Sequence, residues 1–122
     1  MGALGFGERP ETDGGLYLVN GPGNDIVACT NLMAAGVHLI LFTTGRGTPL
    51  GTAVPTIKIS TNKSLAERKS AWIDFDASGC LNGSELTDEL VDFVLQIASG
   101  KQSRNEINGY EEISIFKDGV TL

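Results

Sequence analysis

The stretch from Val37 to Phe42 is the most apolar in the chain, broken only by His38, and it restricts the fold more than any other feature. Such a run reads as a strand buried on both faces, which is the habit of parallel sheets. Parallel neighbours need crossover connections, usually helical, so helices are expected between the strands. Directly after the run stands Thr43-Thr44-Gly45-Arg46-Gly47-Thr48-Pro49. Gly45 and Gly47 allow the backbone to turn tightly and to approach a ligand closely. A guanidinium held between them can grip a carboxylate or phosphate with two parallel hydrogen bonds. In open α/β sheets, ligands bind beyond the carboxyl ends of the strands, where this loop is expected. The loop therefore reads as an anion site, with Arg46 as its anchor and Thr43, Thr44 and Thr48 as supporting donors. The plainer alternative is a surface arginine, with the three hydroxyls only satisfying loop backbone.

The remainder alternates as that strand requires. Leu16 to Asn20 reads as a strand closed by Gly21-Pro22-Gly23, and Asn24 or Asp25 can cap a helix with the stripe Ile26, Cys29, Leu32 and Met33. Gly36 ends that helix and Val37 to Thr44 is the central strand. Gly45 to Pro55 is a long loop. Thr56 to Thr61 alternates, with Ile57 and Ile59 on one face. Asn62 to Ala71 is a short helix, Trp72 to Asp76 a strand or extended segment, and Ala77 to Gly83 a loop. Ser84 is placed to cap a helix over Glu85 to Ser99, whose stripe is Leu86, Leu90, Val91, Val94, Ile97 and Ala98. Glu112 to Phe116 is a last strand. The expected class is α/β, a mostly parallel sheet with flanking helices in a Rossmann-like three-layer arrangement.

At 122 residues the chain suits one domain with one core. Its net charge of -6 argues against nucleic acid or an anionic membrane surface as partner. No apolar stretch reaches the roughly 20 residues of a membrane helix. Cys29 and Cys80 have no metal-type spacing and read as free structural thiols in a reduced, cytoplasmic setting.

Other candidates are weaker. Gly21 and Gly23 line a turn before a helix N-terminus, a second place for an anion if the first and central strands are neighbours. The plain alternative is a strand-to-helix turn. The spacing is not that of a dinucleotide fingerprint and there is no Walker lysine. His38 lies at the start of the central strand, roughly 20 Å from Arg46 on an extended chain, and reads as structural. Asp74 and Asp76 face the same way on an extended segment and are weak candidates for a metal or an acid–base pair. Their plain reading is edge-strand and turn carboxylates. No base and no metal cage is legible, so the residues describe the binding half of a site.

Several of these segments together resemble a known family. Gly15-Leu16-Tyr17-Leu18-Val19-Asn20-Gly21-Pro22-Gly23-Asn24-Asp25, Ala34-Ala35-Gly36, Leu41 through Pro49, Pro55 through Asn62, Trp72 through Gly79 and Ile113 through Leu122 are similar to the C-terminal region of the altronate and galactarate dehydratases. The Trp72 segment and the ending look more like the altronate members. The resemblance implies a hydro-lyase that removes water from D-altronate to give 2-dehydro-3-deoxy-D-gluconate, in hexuronate catabolism. It also implies a divalent metal, iron or manganese, in the full enzyme, with none expected in this domain alone. Residues 15–122 are then one C-terminal domain, and residues 1–14 an interdomain connection or the start of an expressed fragment. Its expected partners are the sugar acid, the N-terminal and central domains of the same enzyme, and in one arrangement a second copy of the chain. The alternative is a stand-alone anion-binding or oligomerisation module without catalysis.

Overall fold

The computed structural model describes residues 1–11 and 14–115 of the chain. Its elements are β1 (Gly2–Leu4), β2 (Tyr17–Val19), α1 (Asp25–Ala34), β3 (Ile40–Thr43), β4 (Thr56–Ser60), α2 (Lys63–Arg68), β5 (Phe75–Asp76), α3 (Thr87–Ala98) and α4 (Arg104–Asn108), with a 3-10 turn at Ser78–Asn82. All paired strands are parallel, and helices flank them, as the α/β class requires. The strands divide into two small sheets, however, β1-β2 and β3-β4-β5. The division does not establish a Rossmann-like strand order.

The larger sheet is covered on both faces. Ile57 and Ile59 of β4 and Phe75 of β5 pack against Leu90, Phe93, Val94 and Ile97 of α3. From the opposite face, Ile40 and Phe42 of β3 meet Ile26, Cys29, Leu32 and Met33 of α1, together with Leu50 and Val54 of the long loop. Strand parity explains the split, since alternate residues point to opposite sides. Asn31 of α1 ties this layer to the smaller sheet. Its Oδ1 accepts from the Gly7 amide at 2.6 Å and its Nδ2 donates to the Asn20 carbonyl at 2.9 Å.

The strand buried on both faces is β4, not β3. Every residue from Thr56 to Ser60 is buried, whereas Leu41 of β3 is 49% exposed. Val37 is spent on closing α1, its amide donating to the Leu32 carbonyl at 3.3 Å, so β3 begins only at Ile40 and stands at the sheet edge. Other expected boundaries also move. Asn24, one of the two expected caps, holds the start of α1 through its side chain, and Asn62 does the same for α2. Yet α3 starts at Thr87, and Glu85 rather than Ser84 accepts from its first amide, at 3.0 Å. Val91 of its expected stripe is 49% exposed. The loop at Ala77 to Gly83 contains the 3-10 turn, and β5 has only two residues. In place of a last strand there is one bridge, Thr52 to Glu112; Phe116 lies outside the described residues.

Candidate ligand site at the carboxyl end of the larger sheet

Parallel register brings the ends of β3, β4 and β5 to one rim, with Thr43 beside Ile59 and Ser60 beside Asp76. Three adjoining cavities open there. One of about 230 Å³ is lined by Thr43, Thr44, Gly45, Ile59 and Thr61. A second of about 390 Å³ is lined by Gly45, Arg46, Asn62, Leu65, Arg68 and Lys69. The third, about 420 Å³, has Thr61, Asn62, Lys63, Ser64, Ser78 and Asn82 among its walls. The first and second share Gly45, the first and third share Thr61, and the second and third share Asn62. The rim thus combines cations with hydroxyl and amide groups, the two kinds of partner a polyhydroxy acid needs.

The Arg46 loop is held from several sides. The Thr44 amide extends the ladder to the Ile59 carbonyl at 3.0 Å, and the Thr44 hydroxyl accepts from the Gly47 amide at 3.0 Å. Gly47 has φ +73°, where a side chain would be strained, and an added Cβ would stand 2.9 Å from Cδ of Lys69. That close passage lets Lys69 Nζ reach the Arg46 carbonyl at 2.8 Å while lying 5.0 Å from the centroid of the Trp72 ring. The Arg46 backbone is therefore fixed while its guanidinium stays exposed at the cavity wall.

The far end of the same loop is pinned by Lys58, which stands between Ile57 and Ile59 in β4. Lys58 is fully buried in β4, and its Nζ donates to the carbonyls of Thr48 at 3.0 Å and Leu50 at 2.7 Å. Burial pushes its pKa down, against the pull of Asp74 and Glu112 in the other direction. Glu112 adds a further tie, its Oε2 accepting from the Gly51 amide at 3.0 Å.

The expected site residues separate by role. Thr43, Thr44, Gly45 and Arg46 line the cavities. Gly47 and Thr48 shape the loop, the Thr48 hydroxyl accepting from the Leu50 amide at 3.3 Å. Gly21 and Gly23 follow β2, which belongs to the other sheet, so the shared rim loses its basis in neighbouring strands. Asp74 uses both carboxylate oxygens on backbone amides, Lys58 at 2.8 Å and Arg104 at 2.7 Å. Burial raises its pKa most, and those two hydrogen bonds oppose the rise. Asp76 accepts from the Ser78 amide at 2.9 Å. Exposed His38 lies before β3, at the end opposite Arg46.

Among the described residues no three His, Cys, Asp or Glu side chains gather where a metal could be held. With Asp74 and Asp76 both engaged by backbone amides, these residues do not fit the divalent metal that the resemblance implies. The rim residues that sequence reading passed over include Thr61, Asn62, Ser64, Arg68 and Lys69. They fall between the end of β4 and the C-cap of α2, a cluster that reaches the Arg46 loop only once α2 is placed beside it.

Over residues 1–121 the chain matches the family model described as D-galactarate/Altronate dehydratase, C-terminal. It is 51% identical to altronate dehydratase of Escherichia coli (strain K12) over 122 residues, 98% of this chain and 24% of that protein. Altronate dehydratase of Bacillus subtilis (strain 168) is 47% identical over 124 residues, with the same two shares. Galactarate dehydratase (L-threo-forming) of Escherichia coli (strain K12) is 41% identical over 104 residues, 81% of this chain and 20% of that protein. The chain thus spans about a quarter or less of the length of these relatives.

Proposed function

Since the chain belongs to the D-galactarate/altronate dehydratase C-terminal family, we propose that it is the C-terminal domain of a sugar-acid dehydratase and that it grips the substrate's carboxylate. The first expected substrate is D-altronate, because the altronate dehydratases stand nearer in identity than the galactarate enzyme. The product is 2-dehydro-3-deoxy-D-gluconate and water. The observation that carries the reading is Arg46 on a pinned backbone, lining a cavity that shares Gly45 with a neighbouring hydroxyl-lined one.

Dehydration of an aldonate takes a proton from the carbon beside the carboxylate and expels the neighbouring hydroxyl. Charge builds on the carboxylate as the proton leaves. Donors already aimed at that position stabilise the transition state without having to reorganise. Arg46 supplies two such donors, and the Gly45 amide lies on the same wall. Thr43, Thr44, Thr61 and Ser64 are positioned to take hydroxyls along the carbon chain. The base, the divalent metal and the remaining partners are assigned to the other domains, in a cytoplasmic enzyme. On this reading the isolated chain binds the acid but does not turn it over.

A thermal-shift titration with D-altronate, D-gluconate and acetate tests the proposal. Ligand that binds only the folded state raises the midpoint by mass action. The expected result is a rise with the two polyhydroxy acids, little with acetate, and none in Arg46→Ala. A rise of equal size in Arg46→Ala would remove Arg46 from the site.

A further inference from the structure

The cavity beside Arg46 holds more positive charge than one carboxylate requires. Its wall carries Arg46, Arg68 and Lys69, with Asn62 and Leu65 between them and no carboxylate. These are three of the nine basic residues of a chain whose net charge is -6. Lys69 is already engaged with the Arg46 carbonyl and the Trp72 ring. Arg68 is placed otherwise. It ends α2, is exposed, and anchors its side chain by one bond, Nε to the Ser64 carbonyl at 3.2 Å. That bond sets the stem and leaves the terminal nitrogens of the guanidinium as donors. Two guanidiniums and an ammonium lining one cavity suit a head group with two negative charges.

We infer that Arg68 is a second anion-binding residue of this site, acting with Arg46, and that the cavity is matched to a dianionic head group rather than to a single carboxylate. This rests on the assignment of the Arg46 cavity as the ligand site. It has a consequence for the proposed reaction. A hydroxy acid enters with one negative charge, and removal of the neighbouring proton leaves two charges shared by the former carboxylate. A site that prefers the second form binds the intermediate more tightly than the substrate, which is the condition for acceleration rather than mere affinity.

The test uses two three-carbon polyol anions at pH 7.5 and low salt, D-glycerate with one charge and glycerol 3-phosphate with nearly two. Their affinities are measured by isothermal titration on the wild type, Arg68→Gln and Arg46→Gln, with thermal midpoints recorded to confirm folding. The expected wild-type result is glycerol 3-phosphate tighter by about tenfold, the size of one added charge-assisted contact. In Arg68→Gln that preference collapses to within about twofold, while glycerate binding changes little. In Arg46→Gln both ligands are weakened. Equal affinities in the wild type, or a preference that survives Arg68→Gln, would overturn the role of Arg68 and leave the Arg46 site standing. If Arg46→Gln bound both ligands as the wild type does, the site assignment itself would fall. Binding of neither ligand by the folded wild type would overturn both.

Discussion

Lys58 is the residue that most changes the reading of this chain. A lysine between Ile57 and Ile59 reads as the wet face of a strand. Here that face is roofed by the chain's own loop, and the ammonium replaces water with two loop carbonyls. Alternation shows which residues share a face, but it cannot show what covers the face. Lys58→Met keeps most of the stem and removes the donors, so the carbonyls of Thr48 and Leu50 lose their partner. The expected loss is about 1–3 kcal/mol in urea unfolding, the usual cost of stranding buried acceptors. A pH series separates charge from packing. The folded-state pKa of Lys58 is lowered by burial, so above that pKa and up to 10.5 the unfolded chain holds this proton more tightly than the folded one. Stability rises with pH wherever the unfolded state binds more protons. The wild type is therefore expected to gain on Lys58→Met as the pH rises toward 10.5, and parallel curves would contradict the burial of a charged ammonium.

At the scale of elements, legibility followed local chemistry. The cap at Asn24 was readable because a short polar side chain three residues before an amide has one good partner. α4 was not read, although Ser103 and Glu106 carry the capping-box spacing and both of its hydrogen bonds form. Five residues of helix leave too little periodicity to register. The edge position of β3 and the division into two sheets depend on contacts distant in sequence, which no local pattern encodes. The Arg46 loop was legible from its glycines and its place after a strand, whereas Arg68 and Lys69 join it only through the packing of α2. The other end of that loop depends on Gly51, where an added Cβ would lie 2.2 Å from the Tyr110 carbonyl oxygen and 2.6 Å from the Asn105 Cβ. Neither neighbour is a flexible tip. Gly51→Ala is expected to destabilise by roughly 3 kcal/mol, as overpacking against backbone does, and an unchanged urea midpoint would show that the loop is not seated as described.

Across the whole molecule, the sheet sets the site and the charges point to it. Helices cover both faces of β3-β4-β5, so the open place is the strand ends, and four of the nine basic residues, Arg46, Lys63, Arg68 and Lys69, line the cavities there. In a chain of net charge -6 this is a local concentration of positive charge, of the kind that attracts small anions. The central claim is that this rim holds the sugar acid. The most direct measurement is backbone amide NMR of the chain titrated with D-altronate. The expected shifts concentrate at Thr43 to Gly47 and Thr61 to Lys69, saturate with ligand and are absent in Arg46→Ala. Saturable shifts centred elsewhere, such as the α1 surface around Val27 and Thr30, would contradict it.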